Sequence, residues 1–254
     1  MAPCVIAIRL AHYKRAPIAE AVIDLQLGFE QQPAATHLEE FAATLRDSFP
    51  QSQRINTFAL AVATSNGGEI SSNAARETLG VRLTSATGSR ILQLRRQGLS
   101  YSHMQPYSEW ESFSEEMRPI LESFVLEFKA ISVNRLAVRY INRIIVPQGV
   151  DLEAYLNLSP RRPADVSADL QGYFMQLVLA QKDLGPEYTA IVNSGLEAAP
   201  DPNAMAVLLD IDVFCTKQTP MDLAAAWTVL YQLRERKNEI FEAAITDEVR
   251  RMIE

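Results

Sequence analysis

The chain has 254 residues, 48% hydrophobic and 22% charged, close to the averages of soluble globular proteins. Its formal charge of −7, without a basic tail or block, argues against a protein that holds nucleic acid mainly through clustered Lys and Arg. No stretch approaches the ~18 apolar residues of a membrane span, and the length allows one large domain or two of ~125 residues.

At the N-terminal end the apolar run "CVIAI" is short, and Arg9, His12, Lys14 and Arg15 follow it rather than precede it. That is not the order of a secretory signal. Cys4 and Cys215 lie far apart in no metal-ligand spacing, so a reduced, cytoplasmic protein is expected. After "YKRAP", residues 18–28 alternate as a half-buried strand does. Ala19, Ala21, Ile23, Leu25 and Leu27 share one face; Glu20, Val22, Asp24 and Gln26 share the other.

Residues 36–48 predict a helix with the apolar stripe Leu38, Phe41, Ala42 and Leu45, and with Thr36 and Glu39 at capping-box spacing. Strands follow at 54–64, 79–85, 90–96 and 99–104, separated by turn signals, with 66–78 as a polar loop. A second helix spans 108–129, again with a capping box (Ser108, Glu111), and Pro119 should bend it.

The strand 131–147 sets Arg135, Arg139 and Arg143 on one face and Leu136, Val138, Tyr140, Ile144 and Val146 on the other. "DLEAYLNL" predicts a short helix, "SPRRPADVS" a loop, and residues 168–182, 187–194 and 204–215 three strands. A long helix over 220–244 opens with Thr219 as cap and Pro220 at its first position. Its stripe is Leu223, Ala226, Trp227, Leu230, Leu233, Ile240 and Phe241, and "RERKNE" (234–239) reads as a solvated face. A last short helix takes Thr246 as its cap.

The element order is β-α-β-β-β-β-α over residues 1–130 and β-α-β-β-β-α over 131–254. It predicts an α+β protein of two helix-grip, TATA-binding-protein-like halves in one pseudo-symmetric unit, an antiparallel sheet packed against long helices. Such an analogy assigns no function.

The arginine row has two main readings. Glu20 and Asp24, also four apart on a strand, can neutralise it as a register lock across neighbouring strands. Alternatively Arg135, Arg139 and Arg143 bind a nucleotide or another anionic small molecule on the sheet face. Tyr140 lies on the opposite face, which disfavours a stacking platform for single-stranded nucleic acid. His12, His37 and His103 are scattered, and no phosphate loop, nucleophile elbow or zinc spacing is present. Asp210 and Asp212 share a strand face and are the weak metal candidates; no cofactor and no catalytic residue is expected.

"YKRAPIAEAVIDLQ" (13–26), "RLAVRYINRIIVP" (135–147) and the C-terminal signature Lys237, Asn238, Ile240, Phe241, Ile245, Thr246 and Asp247 together resemble a family of uncharacterised bacterial proteins described as sporadically distributed. The resemblance runs nearly the whole length and carries no assigned activity. Patchy distribution is what accessory genes show, including toxin–antitoxin and anti-phage defence components. It implies a non-catalytic protein-interaction or sensor module with a protein partner, encoded for instance by an adjacent gene, and leaves the oligomeric state open.

Overall fold

The computed structural model describes residues 13–64, 70–160 and 170–254, with side chains for 13–57, 77–160 and 170–254. Cys4, His12 and most of the "SPRRPADVS" segment lie outside the described residues. The elements in chain order are β1 (Ile18–Phe29), α1 (Ala35–Thr44), β2 (Gln51–Thr64), β3 (Ile70–Thr84), β4 (Arg90–Arg95), β5 (Gly98–Met104), α2 (Trp110–Phe128) and β6 (Ala130–Pro147). After one 3-10 turn (Leu152–Ala154) come β7 (Phe174–Ala180), β8 (Tyr188–Ala198), β9 (Ala204–Cys215), the two-residue β10 (Thr219–Pro220), α3 (Leu223–Ala244) and α4 (Asp247–Ile253).

Among the described residues all ten strands form one antiparallel sheet, in the order β2-β3-β4-β5-β1-β6-β9-β8-β7, with β10 pairing β6. The protein is therefore α+β. β1 and β6 meet near the middle, with Val22 opposite Arg139 and Asp24 opposite Ala137. The period of two then sorts the faces. Ala21, Ile23, Leu25 and Leu27 of β1, alternate residues of β6 from Leu136 to Val146, and Val207 to Val213 of β9 are buried on one face. The helices pack there. Phe113 of α2 stacks on Tyr101 of β5, Phe41 of α1 meets Phe124 and Phe128 of α2, and α3 lies along β6 and β9. Trp110, Phe113 and Phe124 are fully buried, each worth on the order of 2–3 kcal/mol in transfer free energy. The opposite sheet face carries no described helix.

Several local expectations are corrected. Residues 70–78 are not loop: "SSNAARET" continues β3, whose backbone pairs with β2 along the whole hairpin despite its polar side chains. α1 is capped at Ala34, so Thr36 already lies inside the helix and makes no cap bond. α2 begins after Glu109, and the Ser108 hydroxyl meets Ser112 instead, at 2.9 Å. Thr219 and Pro220 pair with Val133 and Ser132 of β6, and the cap of α3 passes to Asp222, whose carboxylate accepts from the Ala225 N–H at 3.1 Å. Thr246 does precede α4, but its hydroxyl donates to the Ala154 carbonyl, 2.7 Å away. α2 continues through Pro119 and ends at Lys129, whose φ of 50° lets the chain turn directly into β6. β7 starts at Phe174 rather than at 168, and "DLEAYLNL" makes only the single 3-10 turn.

Candidate functional site

On the open face the arginine row does not present three free guanidinium groups. Arg135 reaches Asp24 of β1 at 3.1 Å and Asp212 of β9 at 3.0 Å, and lies over the Phe214 ring. Arg139 makes a two-pronged pair with Asp210, at 2.7 and 2.8 Å, and Asp210 also accepts from Asn193 of β8 at 3.0 Å. Gln176 of β7 extends that chain by donating to Asn193. In the other direction Arg95 of β4 pairs with Asp24, reaching past β5 where Gly98 has no side chain to block it. A Cβ on Gly98 would come within 2.1 Å of the Leu25 carbonyl, and its φ of +139° is one that only glycine takes easily.

The result is a ladder of alternating charge from β4 to β9, continued to β7 by the neutral amides of Asn193 and Gln176. Asp24 therefore does contact the row. Glu20 makes no ion pair among the described residues and acts on Arg139 only through its field. Arg143 donates to the Ala198 carbonyl at 2.8 Å and stands 3.8 Å from Glu197. Asp210 and Asp212, the two weak metal candidates, are partners of arginine, and no metal-holding cluster of His, Cys, Asp and Glu occurs among the described residues. Burial pushes the Asp212 carboxyl up even with Arg135 and Arg139 beside it, and one of its oxygens has no hydrogen-bond partner.

The helix side of the sheet holds a different arrangement. A cavity of about 480 Å³ opens between the lead Tyr13–Ile18, the β5–α2 connection Gln105–Glu111, Tyr140 and Asn142 of β6, and the second half of α3. Each wall is fixed by its own bonds. Pro17 accepts from the Arg143 N–H at 2.7 Å, and the Gln105 N–H donates to Ala19 at 2.9 Å. Tyr13 donates to Glu242 of α3 at 2.8 Å, Arg250 of α4 holds the same carboxylate at 3.0 Å, and the Arg15 N–H donates to Ile253. Asn142, fully inside, donates to the Leu209 carbonyl at 3.0 Å, and the hydroxyls of Tyr107 and Tyr140 meet at 2.7 Å. Burial pushes the Tyr13 and Tyr107 hydroxyls up to about 12, and Tyr140 well above its ordinary value, so all three stay protonated and able to donate.

Lys237 stands in this wall. It is 7% exposed, and its Nζ lies 3.7 Å from the centre of the Tyr140 ring. Among the described residues it makes no ion pair and no hydrogen bond. Of the carboxylates that act on it, Glu242 is engaged by Tyr13 and Arg250 and Glu235 by Arg234, while Glu109 and Glu111 line the same cavity from the start of α2. Burial, and then the charge of Arg234, lower the Lys237 amine to about 7, against only partial compensation from Glu235 and Glu242.

"RERKNE" is thus not a wholly solvated face. The signal for Lys237 was present in the sequence: it continues the series Ala226, Leu230, Leu233 and leads on to Phe241 and Ala244, all buried on one stripe of α3. A lysine on an apolar stripe is the anomaly, hidden by the charged residues around it. Of the remaining candidates, His103 is buried against Phe113 and Tyr107, with Nδ1 unpartnered and the ring held neutral by burial and by Arg90. His37 is exposed beside Glu127, and Cys215 is buried at the end of β9. No helix among the described residues is long and apolar enough to cross a membrane.

Compared with protein-family models, curated proteins and solved structures, the chain matches none of them.

Proposed function

We propose that this protein is a non-catalytic sensor module that binds a small anionic molecule in the cavity between the N-terminal lead, β6 and α3. The observation that carries this reading is Lys237, a buried amine without a carboxylate partner among the described residues, in the wall of a cavity. Burying an unpaired charge is costly, and a bound anion offsets that cost. Lys14, Arg15 and Arg234 line the same space together with Glu109, Glu111 and Glu242; Arg250 neutralises Glu242, and Arg234 is paired with Glu235.

The cavity is preferred to the arginine row on the open face because Arg135 and Arg139 are paired with aspartates there and Arg143 donates to the Ala198 carbonyl. The cavity wall joins the lead Tyr13–Ile18 to the two last helices, since Arg15 bonds to the last turn of α4 and Tyr13 to α3. Occupancy fixes these segments together, which is a change that a protein partner can read. The strand pairing supports two duplicated halves: β1 pairs with β5, the last strand of its own meander, as β6 pairs with β9, and the two first strands meet at the join.

A thermal-shift screen against carboxylates, phosphates and nucleotides tests the proposal. At least one anion should raise the melting temperature of the wild type and leave that of Lys237→Met unmoved. Equal shifts in both proteins would overturn it.

A further inference from the structure

Lys237 differs from an ordinary anion-binding lysine in its surroundings. Arg234 sits one turn earlier on α3 and lines the same cavity, so two cations compete for one space. Tyr140 of β6 lies below Lys237, with Tyr107 from the β5–α2 connection bonded to that ring's hydroxyl, and the same cavity is lined by Lys14 and Arg15 of the lead and by Glu109 and Glu111 at the start of α2. Glu235 and Glu242 of its own helix attract it, but both are spoken for. A lysine desolvated beside a second cation is the arrangement that turns an ammonium into a neutral, nucleophilic amine. With the group lowered to about 7, a large fraction is neutral at neutral pH.

We propose that Lys237 captures the carbonyl carbon of an oxo acid as a reversible imine, with the acid's carboxylate held by Lys14 and Arg15 of the cationic lead. This deepens the anion-binding reading and rests on it. The lone pair of Nζ forms a bond to the carbonyl carbon, and the carbonyl π pair moves to oxygen, which takes up a proton to give a carbinolamine. The amine proton and the hydroxyl then leave together as water, and the C=N bond forms. One amine and one carbonyl become one imine and one water, with no oxidant or reductant. The Tyr107–Tyr140 pair, held protonated, keeps one hydroxyl hydrogen free to donate to the developing oxygen.

An oxo acid suits the walls better than a simple aldehyde. Once Lys237 is consumed as an imine, Lys14 and Arg15 still line the cavity, as do Glu109 and Glu111, while Glu242 is held by Arg250 and Arg234 by Glu235. Tyr13, Tyr107 and Phe241 give an aromatic lining, so the better probe is phenylpyruvate rather than pyruvate.

The test treats the full chain with phenylpyruvate and sodium borohydride, which fixes an imine as a secondary amine. The expected mass gain is one ligand less its carbonyl oxygen, located by peptide mapping at Lys237 in preference to Lys14, Lys129, Lys182 and Lys217. Labelling there should be about tenfold faster or more than at any other lysine. It should vanish in Lys237→Met and in Lys237→Arg and persist in Lys129→Met. Label spread evenly over the five lysines, or none at all, overturns the imine. Phenyllactate, which lacks the carbonyl, separates the two proposals. If it raises the melting temperature of the wild type and Lys237→Arg but no trapping occurs, the anion site stands and the imine falls. If neither compound acts, both fall.

Discussion

The two faces of the central sheet treat charge in opposite ways. On the open face, Arg95, Arg135 and Arg139 meet Asp24, Asp212 and Asp210 in a ladder that crosses the strands, although these groups keep some contact with water. On the helix side, Lys237 is 7% exposed in a cavity wall, with an aromatic ring beneath it, another cation beside it and no carboxylate paired with it among the described residues. Stability alone predicts the reverse, since an unpaired charge is cheapest where solvent reaches it. The ladder is what a fold needs to hold its strands in register. The lysine is what a fold tolerates only when the position serves something else.

Breaking the ladder should give the largest effect. Arg135→Ala leaves Asp24 and Asp212 without their shared cation, and is expected to destabilise the protein by about 3 kcal/mol, read from urea unfolding midpoints. Arg139 is 46% exposed on its side chain, so Arg139→Ala should cost less, about 1–2 kcal/mol. A stable Arg135→Ala would remove the structural role assigned to the ladder.

The lysine should behave with the opposite sign. Lys237→Met is expected to stabilise the unliganded protein by about 2 kcal/mol at pH 7, because an unpaired buried charge gives way to an apolar side chain of similar length. A destabilised Lys237→Met would mean that the cation–ring contact outweighs desolvation, and that the lysine is structural after all.

The contrast sharpens with pH. The Lys237 amine titrates at about 7 in the folded chain and near 10.5 when unfolded, so between those values the unfolded chain binds the extra proton. Stability from this group therefore rises with pH across that window, and its full penalty is felt below 7. The gap in melting temperature between Lys237→Met and wild type should narrow from pH 6.5 to pH 9. A constant gap would place the amine at its ordinary value. The smallest effect is expected at Arg143→Ala, under about 0.5 kcal/mol, since this guanidinium holds a carbonyl and only a distant Glu197.

Much of the architecture could be read from pattern alone. The alternation in 18–28 and in 131–147 located β1 and β6 and sorted their faces, because side chains on a strand alternate whatever lies beside it. The apolar stripes of α2 and α3 did the same for the helices. Capping was less legible. Thr36, Ser108 and Thr219 all had suitable chemistry, but Pro220 was claimed by a bridge to β6 and the cap moved to Asp222. A helix start depends on where the preceding chain is held, and that is a tertiary fact.

The sequence by itself determined that Arg135, Arg139 and Arg143 share one face, while Lys237 reads with the solvated run "RERKNE" and only the fold shows it buried. Only the tertiary structure decided their partners. Strand order set β9 beside β6, which gave the arginines Asp210 and Asp212 in addition to Asp24 and left Glu20 out. The same order brought Tyr13, Tyr140 and Lys237, remote in sequence, around one cavity and tied up Glu235 and Glu242 near the lysine. Periodicity fixes the direction in which a side chain points. What stands there to meet its charge is set by which strands and helices become neighbours, and that is a property of the whole chain.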